Sequence, residues 1–135
     1  MAAGRALLPA TVVLVVCDVV GGAIAVATGV DSWGHAWGFD TESTVPLPVG
    51  VAQVAMAWLA VRSRWPRVGL AASALLSAFC LLSLLFGSFD GDLIGNISAD
   101  GWASPGVLWA LVLLVVTGVV GLLACARTRE LWRRR

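Results

Sequence analysis

ALLPATVVLVVCDVVGGAIAVATGV, residues 6–30, decides how the rest of the chain is read. A helix needs roughly 20 mostly apolar residues to cross about 30 Å of hydrocarbon. This stretch supplies them with one interruption, Asp18. On the insertion scale a central acid costs ~2.5–3.5 kcal/mol, while each Leu, Val or Ile returns ~0.3–0.6 kcal/mol. Twelve such residues lie between Ala6 and Val30, so the helix inserts in spite of its acid. Arg5, the run 6–17 and the triplets Ala23-Ile24-Ala25 and Ala25-Val26-Ala27 also fit the outline of a signal peptide. The apolar run resumes after Asp18 and reaches Val30, which favours an uncleaved span.

Working outward, three more stretches qualify or nearly qualify: 45–61, 68–86 and 107–126. The second is short and carries Pro46, Pro48 and Gln53. Prolines at its start suit a first helical turn, where the missing N–H has no partner anyway. The whole chain is 59% apolar and 13% charged, against about 45–50% and about 25% in soluble domains. A water-soluble globular fold is excluded, and so is disorder, which needs low hydrophobicity and high charge. The 135 residues form a single four-span domain, 1–135.

Charge sets the orientation. All nine basic residues are arginines: Arg5, Arg62, Arg64, Arg67, Arg127, Arg129, Arg133, Arg134 and Arg135. With four spans each falls on the face that holds the termini and the 62–67 turn, while the opposite loops hold Asp31, Asp40, Glu42, Asp90, Asp92 and Asp100. A basic excess in short flanks marks the cytoplasmic side. The expectation is an all-α, four-helix transmembrane bundle, up-down-up-down, N-in/C-in, in the plasma membrane. A basic cytoplasmic tail over 127–135 would lean on anionic lipid at about 1 kcal/mol per arginine. Trp33, Trp37, Trp102 and Trp109 fall near the outer boundary, and Trp58, Trp65 and Trp132 near the inner one. Amphipathic rings prefer both headgroup regions.

Each helix also carries small or polar residues at helical spacing: Asp18, Gly22, Ala25 and Gly29; Gly50, Gln53, Ala57 and Ala60; Gly69, Ser73, Ser77 and Cys80; Thr117, Gly118, Gly121 and Cys125. Lipid gives no hydrophobic drive between helices, so close packing of small residues must hold them. These stripes are read as the bundle interior. Asp18 is the one ionisable residue inside the spans, at the midpoint of its run; Gln53, Ser77 and Thr117 fall at or beside the midpoints of theirs. The expectation is a polar layer at mid-membrane, with Asp18 protonated and hydrogen-bonded to Gln53, Ser77 or Thr117. Such residues serve as interhelical glue, or they mark proton and ion paths.

The stretch Asp18-Val19-Val20-Gly21 resembles the first-helix acid motif of the small multidrug resistance transporters. The resemblance covers a few residues and implies a proton-linked transporter with Asp18 as its acid. The chain departs from that family in carrying Asp for Glu, in its longer loops, in its arginine bias and in lacking the family's later aromatic motifs.

Other signals are weaker. Residues 90–98 place Asp90, Asp92, Gly95, Ile97 and Ser98 as in a calcium loop, but Ile94 and Gly101 stand where ligands belong. A solvated turn cluster is the simpler reading. His35, the only histidine, lies in a turn that Trp33, Trp37 and Phe39 would anchor at the interface. Asn96-Ile97-Ser98 fits a glycosylation sequon, which means little if the chain is bacterial, as its lack of lysine and richness in Ala, Val and Arg hint. Cys17, Cys80 and Cys125 form no C-x-x-C and read as small packing residues. No nucleophile–base pair or phosphate-binding loop is visible, so neither enzyme activity nor a cofactor or metal is expected. The expected function is that of a structural or accessory subunit. Its partners would be the lipid bilayer and a second copy or a larger membrane protein, with no nucleic acid. A small proton-linked transporter using Asp18 is the alternative.

Overall fold

The computed structural model describes residues 2–29, 31–39, 45–89, 98 and 101–134. Within them the chain is all-helical: α1 (Ala2–Ala27), α2 (Leu47–Arg62), α3 (Pro66–Phe89) and α4 (Pro105–Trp132). Three helices are long and apolar enough to cross a membrane, Ala3–Ala27, Pro66–Leu85 and Pro105–Trp132; Leu47–Arg62 is shorter and apolar. At 1.5 Å per residue the 16 residues of α2 extend about 24 Å.

Local chemistry explains the boundaries. Pro48, Pro66 and Pro105 all stand in first turns, where a missing N–H leaves nothing unpaired. The Ser104 side chain caps α4 by accepting from the Val107 N–H at 3.3 Å. The end of α1 falls at Ala27 rather than Val30, because Gly29 adopts φ 77°, a left-handed conformation that glycine takes without strain. Stretch 127–135, expected as a tail, continues α4 without a break as far as Trp132. Arg127 accounts for this: its Nε donates to the Ala60 carbonyl at 3.2 Å and its Nη1 meets Glu130 at 3.1 Å, so it packs the helix onto the bundle.

Each helix packs against its chain neighbours, and α4 closes the ring against α1. Successive helices are antiparallel. Gly4 faces Arg127 at one end of the α1·α4 pair, and the Trp109 indole donates to the Cys17 carbonyl at 3.3 Å towards the other. The α2–α3 turn therefore lies at the end that holds both termini, called here the arginine end. The core runs through Leu7, Leu14, Ala57, Ala60, Ala72, Leu76, Cys80, Val120 and Ala124. Large aliphatic side chains such as Val13, Val16, Leu75, Leu81, Val115 and Leu122 point outward.

The small-residue stripes locate the interior on three helices. Asp18, Gly22 and Ala25, all four residues picked on α2, and all four on α3 are buried. On α4 the buried face is Val107, Val120, Gly121 and Ala124, while Thr117, Gly118 and Cys125 are half-buried. That helix is so evenly apolar that its small residues mark only part of the facing side, Gly121 being the buried one among them. Gly29, beyond the end of α1, is exposed.

Candidate functional site

Asp18 is carried to the inside of the bundle by the repeat that also buries Leu7, Thr11, Leu14, Gly22 and Ala25, one turn apart along a single face of α1. Its side chain is 6% exposed, and Oδ2 is buried without a hydrogen-bond partner. Gln53 is buried on α2, and its Oε1 likewise has no partner. Ser77, buried on α3, donates to the Gly121 carbonyl of α4 at 3.4 Å. Thr117 is half-buried.

The structure does not gather these four residues at one depth. Val15 of α1 lies against Gly50 of α2, where an added Cβ would stand 3.2 Å from its Cγ2. The two helices are antiparallel, so Asp18 lies three residues from this contact in one direction and Gln53 three in the other. At 1.5 Å per residue they are offset along the bundle by about 9 Å, with Asp18 further from the arginine end. Gln53 and Ser77 do share a level. Counted from the contact between Gly69 and the Leu59 and Ala60 carbonyls, they lie about 10 and about 12 Å away. Among the described residues no hydrogen bond joins Asp18 to Gln53, Ser77 or Thr117.

Two tryptophans flank the acid instead. Trp109 holds the Cys17 carbonyl, next to Asp18 in the chain. Trp37, which the sequence reading leaves at the interface, turns back into the bundle: its Nε1 is buried without a partner, and a Cβ on Gly22 would stand only 2.5 Å from it. The neighbouring rings of Trp33 and Phe39 stay exposed, as expected of interfacial anchors. The Gly21-Gly22 pair, one turn beyond Asp18, is the only trace of this arrangement in the sequence.

A second polar cluster lies along α3 and α4. The Thr128 hydroxyl stands 2.9 Å from the Ala124 carbonyl and 3.0 Å from the Ser73 hydroxyl, which itself donates to the Leu70 carbonyl at 3.0 Å. Gly121 brings α3 and α4 close together, since a Cβ there would stand 3.0 Å from that of Cys80.

His35 is exposed, and all three cysteines are free. The described residues hold no group of three His, Cys, Asp or Glu suited to a metal ion. The calcium-like stretch, apart from Ser98, lies outside the described residues, as do Asn96 and Ile97 of the sequon. No family model, curated protein or solved structure matches this chain.

Proposed function

We propose that this chain is a four-span plasma-membrane protein with both termini in the cytosol. It works by association, as a structural or accessory subunit beside a second copy or a larger membrane protein, and catalyses no reaction itself. The arginine end gathers Arg5, the 62–67 turn and the end of α4 on one side, which supports placing that side in the cytosol. The observation that carries the association reading is the α3·α4 seam. Its polar groups are engaged in holding helix to helix, which suits cohesion rather than turnover. The test is reconstitution of the purified chain alone in vesicles with a pH-sensitive dye inside. An accessory subunit is inert there and migrates in mild detergent as a complex larger than one chain. A proton flux abolished by Asp18→Asn overturns this reading.

One observation favours a second reading, a small proton-linked transporter. Asp18 is sequestered with an oxygen that no protein group satisfies. Buried polar atoms in proteins are nearly always paired, and an orphan needs a reason. Ionisable residues within spans usually mark such paths. In the same vesicles this reading expects flux from the wild type and none from Asp18→Asn, with equal thermal stability of the two proteins.

A further inference from the structure

Of the buried polar atoms without a partner, two lie along one face of α1: Asp18 Oδ2 and Trp37 Nε1. The tryptophan touches the helix with the N–H edge of its ring. A Cβ on Gly22 would stand 2.5 Å from Nε1, 3.0 Å from Cε2 and 3.1 Å from Cδ1. The ring therefore rests in a notch that only glycine leaves open. Gly22 is one helical turn beyond Asp18 on the same face. The turn that delivers the ring is held in place: the Leu47 N–H donates to the Trp37 carbonyl at 3.0 Å, and Ala36 is fully buried with its N–H on the Ser32 carbonyl at 2.9 Å.

The two directions away from Asp18 along α1 differ. Towards the arginine end the face continues as Leu14, Thr11 and Leu7, all buried, and the Thr11 hydroxyl is engaged by the Leu7 carbonyl at 2.8 Å. On α1 itself that side offers no free polar group; on α2 the unpaired Gln53 Oε1 lies about 9 Å nearer the arginine end, beyond hydrogen-bond reach of the carboxyl. Towards the far end stand two glycines and the Trp37 indole, while the indole of Trp109 is engaged by the Cys17 carbonyl. An indole N–H can only donate, and a carboxylate oxygen accepts. A water molecule between them can accept from the first and donate to the second.

We propose that Trp37 is the gate of the Asp18 site, a positioning residue that separates the carboxyl from water at the far end of the bundle. The ligand is a proton carried by water. It passes to the carboxylate oxygen past the indole and leaves by the same route. This rests on the reading of Asp18 as a proton-binding group, although access to the site and use of the site are separately measurable.

The experiment labels Asp18 with a membrane-impermeant carbodiimide and an amine, applied to one side of sealed vesicles of each orientation. The resulting amide is read by mass spectrometry of the α1 peptide. Wild type is labelled slowly from the far side and not from the arginine side. Trp37→Ala removes the ring, and Gly22→Ala displaces it. Each raises far-side labelling about tenfold or more, the scale set by losing the burial of a large apolar side chain. Trp37→Phe, with a ring in the notch but no N–H, stays closer to wild type than either. The gate is overturned if wild-type Asp18 is labelled as fast from the arginine side, or if both open variants melt like wild type and label no faster. Gating without flux refutes the transporter reading alone, and flux without gating refutes the gate alone.

Discussion

Along α3 the buried hydroxyls each reach an oxygen: Ser77 that of Gly121, and Ser73 those of Leu70 and Thr128. Along α1 and α2 the buried carboxyl and amide do not, and Asp18 Oδ2 and Gln53 Oε1 are left unsatisfied. Lipid outside the bundle provides no alternative partner for either set. One half of the molecule spends its polar groups on cohesion. The other half carries an unsatisfied carboxyl beneath a tryptophan, an arrangement that adds nothing to stability. The difference separates what holds the helices together from what is available for function.

The largest expected effect tests the cohesive half. Gly121→Leu drives a side chain into Cys80 where even a Cβ stands at 3.0 Å. Thermal unfolding in mild detergent is expected to show a loss of ~1–3 kcal/mol, as for other overpacked cores. An unchanged melting temperature would mean that the seam is looser than described.

The opposite half is expected to respond with the opposite sign. Replacing a buried unsatisfied polar group by an apolar one of similar shape is neutral or stabilising, by up to ~1–3 kcal/mol. Asp18→Leu therefore unfolds no earlier than wild type in the same assay. If it unfolds earlier, the carboxyl is glue after all and the contrast between the halves disappears.

Thr128→Val sharpens the comparison at smaller scale. It removes one hydroxyl from the Ser73 cluster, and interhelical hydrogen bonds of this kind average ~0.6 kcal/mol in membrane bundles. A double-mutant cycle with Ser73→Ala measures it, and additive losses would show that the two hydroxyls do not interact. The smallest effect belongs to Gly69→Ala. Its added Cβ meets the Ala60 carbonyl at an ordinary 3.6 Å, so stability should stay within about 0.5 kcal/mol. A large loss there would place α2 nearer to α3 than the present packing does.

The helical architecture was legible because its signals are redundant. Apolar runs, arginine placement and first-turn prolines all converge on four helices. The interior of α2 was legible to the residue, since Gly50, Gln53, Ala57 and Ala60 are its only small or polar residues at that spacing and all are buried. On α4 nearly every residue is apolar, so nothing tells Val120 and Ala124 from their neighbours, and Thr117 is half-buried where its spacing alone points inward. The burial of Asp18 could be read from its helix alone. Its depth relative to Gln53 could not, because that depends on Val15 meeting Gly50, a contact between helices. Trp37 was invisible for the same reason. Nothing near it in the chain distinguishes it from Trp33, and the notch that receives it belongs to another segment.

The brevity of α2 has a consequence for the surrounding bilayer. At about 24 Å it falls some 6 Å short of a typical hydrocarbon core, while the neighbouring helices do not. In the proposed four-span arrangement, lipid beside that one flank compresses, at fractions of a kcal/mol for each ångström of mismatch. So arranged, the molecule dents the membrane on one side only. Such a lopsided footprint draws it towards thinner regions, or towards neighbours whose own flank is equally short.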